Sequence, residues 1–256
     1  HGKVYQLWKQ GIKDRILVPF FHGREHINVR RWIKALQDNH TSTRIAFNSG
    51  VTGIPKKGIG GEVVPDFQAA FDIDNASDIM PLRKVLKTGL ALFEELYGYK
   101  SRYFVPTNGP FNNTLEEELH NNGVRYINTA KKQREPLGGC KYKTHFRFLG
   151  QKNRFGQSYL TRNCFFEPSS SGFEWPKHTD WVNNCLKEME IAFLWHKPAI
   201  ISTHRVNYMG FLHPENREKS LTQLGNLLGK MLKSWPDIEF MTSVELGDLM
   251  NGIPSE

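Results

Sequence analysis

The sequence predicts an α/β fold in which a parallel sheet is covered by helices. Short apolar segments alternate along the chain with longer segments whose apolar residues recur at helical spacing. Several apolar segments end in a polar residue, as strands do where their carboxyl ends surround the active site of an α/β barrel. The length of 256 residues suits one barrel-sized domain. A doubly wound open sheet would give a similar pattern and stays the alternative fold.

The first third of the chain supplies two of these strand-to-helix units. Residues 15–21 are an apolar segment that ends at His22, and residues 28–36 have the apolar spacing of a helix. The pattern is lost over residues 38–66, which we interpret as an insertion rich in Gly, Pro and Lys. Residues 67–71 then predict a second buried strand, which ends in Asp72 and Asp74.

The middle of the chain continues the alternation and then loses it. Leu82 to Leu96 predict a long helix that Gly98 ends, and residues 102–105 predict a strand. A helix over 114–122, with Thr114 as its N-cap and Gly123 as its stop, precedes a strand over 124–128. Residues 131–176 show no sustained period and predict irregular strands and loops.

The last third returns to regular elements. The pattern predicts helices over residues 181–195 and 216–232, with an apolar strand over 199–203 between them. That strand ends at His204. A short strand over 239–241 and a helix from Val244 complete the chain.

The composition restricts the partners. No run of about 18 apolar residues occurs, so we expect no membrane insertion. The formal charge is +8, but Lys and Arg are spread along the chain, so nucleic acid is not the expected partner. The three cysteines have no CxxC spacing, and their odd number leaves at least one without a partner in the chain. Oligomeric state cannot be predicted from these features.

The clearest chemical motif is His22-Gly-Arg-Glu-His26, at the junction of a strand and a helix. Two imidazoles four residues apart on one helical face can bind one ion, and zinc or a related divalent metal (Co, Ni or Mn) suits nitrogen ligands. The motif is not HExxH, because Glu25 precedes the second histidine instead of following the first. In the alternative without a metal, His22 caps the end of the strand and His26 lies on a solvated helix turn.

With these residues in place, the chain resembles the polysaccharide deacetylases of the NodB-like group (carbohydrate esterase family 4 type). His22 to His26 is similar to the family motif with two metal-binding histidines. Residues 93–109 and 115–128 resemble two further helix, glycine and strand units in the family's order, and residues 199–204 resemble the strand before its catalytic histidine, which maps to His204. The resemblance implies a distorted (β/α)7 barrel, formed by residues 1–256 as a single domain.

The chain also departs from the family pattern. No paired aspartates precede His22, so the barrel is expected to lack its first strand, or the motif lies before His1, where the chain starts without Met or a signal peptide. Asp72 is the best internal candidate for the catalytic base or a metal ligand, although it could equally cap the next helix. The candidate substrate-binding residues, in a third motif that also differs from the family and in later loops, are Arg102, Pro106, Asn108, Trp175 and Arg205.

The expected function is therefore hydrolysis of N- or O-acetyl groups on a polysaccharide or oligosaccharide by a divalent metal, most simply zinc. The resemblance also implies a location in the periplasm or outside the cell. Two alternatives stay open: a barrel that has lost catalysis and only binds carbohydrate, and a metal-assisted glycoside hydrolase with two carboxylates at the bond.

Overall fold

The computed structural model describes residues 2–171 and 176–254, and within them the chain is a mixed α/β protein with eight α-helices and small sheets. The chain divides into two compact units. Unit 1 comprises His1–Leu160 and Thr242–Glu256, and unit 2 comprises Thr161–Met241. The strands of the described residues form three separate small sheets, with no closed barrel among them.

The main sheet is small and carries parallel strands. It has the order β1-β2-β5, with β1 at Tyr103–Phe104, β2 at Tyr126–Thr129 and β5 at Ser158–Thr161. Strand β1 runs parallel to β2, and Phe21 forms a parallel bridge to Phe104 on the other side of β1. Phe21, β1 and β2 therefore end at the same edge of the sheet, and their next residues are His22, Val105 and Ala130.

The helices of unit 1 cover a core of aromatic and aliphatic side chains that includes Phe21, Phe71, Leu86 and Phe104. The helix α4 (Ile79–Tyr97) contributes most of its apolar face to this core, and it ends where Gly98 adopts a left-handed conformation with φ of 78°. The helices of this unit are α1 (Gly2–Lys13), α2 (Val29–Gln37), α3 (Thr41–Asn48), α4 (Ile79–Tyr97), α5 (Glu116–Asn121) and α8 (Ser243–Met250).

A long antiparallel hairpin follows β2. It is formed by β3 (Lys132–Gly138) and β4 (Lys141–Phe146), with a register shift between Pro136 and Gly138. Backbone hydrogen bonds fasten it to neighbouring loops, one from Phe111 N to the Arg134 carbonyl (3.3 Å) and one from Gly139 N to the Asp74 carbonyl (2.8 Å).

Unit 2 has its own sheet and its own core. Strands β6 (Cys164–Phe165) and β7 (Ile201–Ser202) are parallel, and they are covered by helices α6 (Trp181–Leu194) and α7 (Pro214–Ser234). The core of the unit is formed by buried side chains of all these elements, among them Cys164, Trp181, Cys185, Leu227 and Met231. Among the described residues, no helix is both long enough and apolar enough to cross a lipid bilayer.

Several strand predictions were wrong. Of residues 15–21, only Phe21 pairs with a strand. Residues 67–71 are buried except for Gln68 but form no strand, since residues 70 and 71 are in a turn and the Ala70 N–H donates to the Thr107 side chain (3.0 Å). Residues 239–241 are also outside any strand.

Some helical and loop predictions also need correction. The segment 38–66 contains α3, and the segment 131–176 contains the β3–β4 hairpin. Asn112 caps the 3₁₀ turn Asn113–Leu115 that leads into α5, and its side chain accepts from Thr114 N at 3.0 Å, while Leu115 occupies the N-cap position of α5, so Thr114 is not the N-cap. The sequence patterns gave no indication of α1.

Candidate functional site

His22 and His26 lie in the loop between Phe21 and α2, at the carboxyl-terminal edge of the main sheet. Both side chains are exposed, and their ring centroids are 5.2 Å apart with an interplanar angle of 71°. The helix α2 begins only at Val29, with Asn28 as its cap, so the pair lies on a loop and not on a helical face as the spacing predicted. The loop nevertheless brings the two rings together.

The orientation of His22 is fixed by the neighbouring strand. Its Nδ1 atom lies 2.8 Å from the carbonyl oxygen of Val105, the residue that follows β1. A carbonyl oxygen can only accept, so Nδ1 carries the proton, and the lone pair of the neutral ring lies on Nε2. Histidine ligands of metals in proteins commonly donate their other ring N–H to a backbone carbonyl in this way.

The position of His22 depends on the backbone of Phe21. The Phe21 N–H donates to Ser101 Oγ at 3.0 Å, and its carbonyl accepts from Val105 N at 3.0 Å. Gly89 in α4 lies against the Phe21 ring so closely that a Cβ atom there would be 2.8 Å from Cζ. Sheet pairing and helix packing together hold the start of the histidine loop.

Glu25 and Arg24, the charged residues between the two histidines, pair with each other. Arg24 donates to both carboxylate oxygens of Glu25, at 2.6 and 2.8 Å, and also to Thr88 Oγ1 at 3.0 Å. The hydrogen bond to Glu25 raises the pKa of Arg24 above its usual value. This bidentate pair occupies the Glu25 carboxylate.

The two imidazoles fit a divalent metal as part of its ligand set. Two rings at this separation and angle can direct one nitrogen each to a common ion, at the bond length of about 2.0–2.1 Å that zinc requires. Within residues 2–171 and 176–254, no group of three or more His, Cys, Asp or Glu side chains is arranged to hold a metal ion. His22 and His26 would supply two donors to such an ion, and a catalytic zinc site normally has three from protein.

Asp72 lies in a buried ionic cluster. Its Oδ2 atom accepts from Arg31 at 2.9 Å and from the Tyr142 hydroxyl at 2.7 Å, and Oδ1 accepts from Ile73 N at 3.0 Å. Burial opposes the charge of Arg31, but hydrogen bonds to Asp74 and Asp72 outweigh it and raise the pKa of Arg31. Burial and the hydrogen bond to Asp72 raise the pKa of Tyr142 to about 12. Both Asp72 oxygens are engaged within the fold.

Arg102 lies at the amino-terminal end of β1, whereas His22 lies at the carboxyl-terminal edge of the sheet. The Arg102 guanidinium pairs with Asp248 of α8, which also accepts from the Tyr126 hydroxyl at 2.5 Å. Burial opposes the charge of Arg102, and the hydrogen bond to Asp248 outweighs it, so the pKa of Arg102 is raised. The contacts of Arg102 hold α8 against the sheet.

Pro106 and Asn108 lie in the loop that follows β1, next to the Val105 carbonyl that His22 contacts. Pro106 is buried, while Asn108 is exposed with a φ of 55°. The Asn108 side chain lies 3.4 Å from Asp66 and, with Asp66 and Lys56, lines a small open pocket. The segment 38–66 therefore contributes to the surface beside this loop.

In unit 2, His204 forms an acid–base pair with Glu167. The two residues follow the parallel strands β7 and β6, and Nδ1 of His204 lies 2.6 Å from Oε1 of Glu167. The Glu167 carboxylate also accepts from Asn207 Nδ2 at 2.8 Å and from the His204 backbone N–H at 3.3 Å. The Glu167 side chain is 11% exposed and that of His204 is 66% exposed. A buried carboxylate thus orients an accessible imidazole whose Nε2 carries the lone pair in the neutral ring.

Sequence reasoning missed Glu167. The signal was available, since Cys164-Phe-Phe-Glu167 is a short apolar run with a polar residue at its end, the pattern that indicated His22 and His204. Arg205 is exposed at the start of a short 3₁₀ turn, Arg205–Tyr208, directly after His204. Trp175, the remaining predicted substrate-binding residue, lies outside the described residues.

No family model, curated protein or solved structure matches this chain.

Proposed function

We propose that the chain is a divalent-metal-dependent hydrolase that removes N- or O-acetyl groups from a glycan. The observation that carries the proposal is the pair of exposed imidazoles, His22 and His26, at the carboxyl-terminal edge of the sheet, with His22 oriented by the Val105 carbonyl. The resemblance of the surrounding segments to the NodB-like deacetylases gives the reaction. We also propose that the chain forms a distorted (β/α)7 barrel. The parallel pairing of Phe21, β1 and β2 supports part of such a barrel.

His22 and His26 would hold the ion through one neutral nitrogen each. A divalent ion there, zinc in the simplest case and Co, Ni or Mn otherwise, would polarise the acetyl carbonyl and lower the pKa of an attacking water. The Pro106 to Asn108 loop adjoins Val105 and is proposed to contact the substrate beside the ion. The open pocket lined by Asn108 supports that role.

His204, in unit 2, is proposed as a general acid that can protonate an amine or alcohol. Its exposed ring can present Nε2 to a leaving group, while Glu167 accepts a hydrogen bond from Nδ1 and orients the ring. Arg205 and Trp175 are proposed as substrate contacts. Arg102 is not proposed as a substrate contact, because its guanidinium pairs with Asp248 at the other end of β1.

Asp72, the candidate base in the sequence, is held by contacts within the fold. Its oxygens bind Arg31, Tyr142 and the Ile73 N–H, so we propose that it positions the loops at the sheet edge instead of acting as the base. This engagement favours a second candidate function, in which the chain binds an acetylated glycan without hydrolysing it. Release of acetate separates the two functions.

The test combines metal binding with acetate release. The chain would be titrated with Zn²⁺ by calorimetry and assayed for acetate from acetylated chito-oligosaccharides and acetylated xylan. We expect His22→Ala and His26→Ala to weaken zinc binding at least about tenfold and to abolish acetate release, because each removes a ligand. His204→Ala should abolish acetate release with zinc binding unchanged. The matched control is His178→Ala, an exposed histidine of unit 2.

Three results would contradict the proposal in different ways. Unchanged zinc binding in both His22→Ala and His26→Ala would exclude the metal site. Zinc and glycan binding without acetate release from either substrate would favour the binding function. New reducing ends without acetate would favour the glycoside hydrolase. The proposed location in the periplasm or outside the cell follows from a glycan substrate and is tested by fractionating the source cells.

A further inference from the structure

The positive charge of the chain is concentrated in the β3–β4 hairpin and the loop after it. Residues 131–154 contain five lysines, three arginines and one acidic residue, Glu135, so this segment has a formal charge of +7. The whole chain has +8. The remaining residues are therefore almost neutral in sum, although Lys and Arg are present throughout the sequence.

These cations are accessible and have no carboxylate partners among the described residues. Seven of the eight are exposed, and we call them the basic hairpin surface: Lys131, Lys132, Arg134, Lys141, Lys143, Lys152 and Arg154. None of the ion pairs formed by the described residues involves any of them. Glu135 is buried and accepts from His145 at 2.6 Å and from Asn113 N at 3.0 Å, so it is already engaged.

Aromatic rings accompany the cations. The Arg134 guanidinium lies 3.9 Å from the Tyr142 ring centroid, and that of Arg154 lies 4.6 Å from Phe155. Stacking of this kind restricts the arginine side chains before any ligand binds. Phe146 and Phe148 are 64% and 70% exposed, and such rings can pack against the apolar faces of sugars.

The surface is joined to the edge of the sheet that carries His22. Strand β3 starts three residues after β2 ends, and β2 ends at the same edge as β1 and Phe21. The Asn112 side chain donates to the Pro136 carbonyl at 2.8 Å, which fastens the hairpin to a loop of this edge. The Tyr142 hydroxyl connects the hairpin to Asp72.

We propose that the basic hairpin surface binds an anionic polysaccharide, a glycan with repeated sulfate or carboxylate groups. A segment dense in accessible cations attracts polyanions, whose counterions are released on binding, and the exposed rings favour sugars as the repeating unit. If the chain also has the proposed function, its acetylated substrate is an acidic glycan. This identification of the substrate rests on the proposed function. The binding itself does not depend on hydrolysis.

The test compares two variants with the same change in charge. The variant Lys132→Gln/Lys141→Gln/Lys143→Gln removes three charges from the basic hairpin surface, and Lys84→Gln/Lys87→Gln/Lys100→Gln removes three from other exposed positions of unit 1. Binding would be measured by fluorescence anisotropy with labelled dextran sulfate, polygalacturonate and neutral dextran at two NaCl concentrations. Thermal unfolding of both variants would verify that the hairpin change leaves the fold intact.

We expect the hairpin variant to bind at least one of the two anionic polymers about tenfold more weakly than wild type, with a shallower dependence on salt, and the control variant to stay within about twofold. The preferred polymer identifies sulfate or carboxylate as the recognised group. Equal binding of neutral dextran, equal loss in both variants, or tighter binding of a DNA duplex than of either polymer would overturn the inference. These results are independent of acetate release, so failure of the proposed function would leave them interpretable.

Discussion

The Nδ1 atom of His204 lies 2.6 Å from the Oε1 atom of Glu167, and the carboxylate is buried while the ring is exposed. The other carboxylate oxygen accepts from Asn207, whose side chain is buried and itself accepts from Ser169 Oγ at 2.6 Å. The carboxylate is thus fixed from the protein side, and the imidazole can rotate little without losing its hydrogen bond. Such an arrangement determines which nitrogen of His204 carries the proton.

Replacement of this carboxylate by an amide tests its role. Glu167→Gln keeps the shape of the side chain but replaces the charged acceptor that orients His204 with a neutral amide, so we expect kcat for acetate release to fall about 10- to 100-fold. When Glu167→Gln is introduced into the His204→Ala variant, the further loss of kcat should be small, because the two groups act as a unit. Equal losses from Glu167→Gln in both backgrounds, seen in steady-state kinetics, would mean that Glu167 does not act through His204.

The role of Asp72 can be separated from catalysis by its effect on stability. The Arg31–Asp72 pair is largely buried, with side chains 12% and 4% exposed. Asp72→Ala would leave a buried guanidinium without one partner, so we expect the free energy of unfolding to fall by about 3–5 kcal/mol. Asp38→Ala, in the exposed Lys34–Asp38 pair, is the matched control and should cost less than about 1 kcal/mol.

Urea denaturation measures both changes. If Asp72→Ala lowered the free energy of unfolding no more than Asp38→Ala does, but abolished acetate release, Asp72 would be assigned as the catalytic base.

The long helices and the positions of strands β1, β2 and β7 could be predicted from the sequence, while the β3–β4 hairpin and β6 could not. Helices α4, α6 and α7 each present an apolar face over three or more turns, so periodicity identifies them directly. Strands β1 and β7 have two residues each and lie within longer apolar segments that predicted them, whereas the two residues of β6 were not predicted as a strand. Residues 67–71 are apolar because they are buried, and burial alone does not produce a strand.

The hairpin and Glu167 were missed for different reasons. Strand β3 begins Lys132-Gln-Arg-Glu, so polar residues occupy both of its faces, and the buried Gln133 and Glu135 are satisfied by hydrogen bonds that the sequence does not display. Glu167 has the strand-end position that identified His204, but its partner lies 37 residues away in sequence. The pair becomes visible only when β6 and β7 are aligned in parallel.

The contact between Gly89 and Phe21 connects helix packing to the histidine pair. A Cβ atom at position 89 would lie 2.8 Å from Phe21 Cζ and 2.9 Å from Arg24 Cβ, so Gly89→Ala must displace the segment that carries His22. We expect zinc affinity, measured by calorimetry, to fall about tenfold, as small displacements of a preorganised site do. The control is Gly225→Ala in α7, where no atom lies within 4 Å of the new Cβ.

That control should be more stable than wild type by about 0.5–1 kcal/mol, since alanine favours a helix interior, and its zinc affinity should not change. Wild-type zinc affinity in Gly89→Ala would show that the position of Phe21 does not govern the pair.

Glu116 gives unit 1 a predictable pH dependence. Burial raises the pKa of its carboxyl above the usual 4.5, and the Tyr159 hydroxyl, which donates to it, only partly offsets that effect. The folded chain therefore binds this proton more tightly than the unfolded chain does. The resulting stability is fully present below about pH 4.5 and is lost as the pH rises through the raised pKa.

Glu116→Gln retains an acceptor for the Tyr159 hydroxyl and cannot ionise. In urea denaturation, we expect the free energy of unfolding of this variant to rise relative to that of wild type between pH 4 and pH 8. Only the wild type loses stability over that window. Glu94→Gln on the exposed face of α4 is the control and should change by less than about 0.5 kcal/mol at either pH. A difference between Glu116→Gln and wild type that stays constant with pH would mean that Glu116 titrates alike in the folded and unfolded chains, and that burial beside Tyr159 does not govern its ionisation.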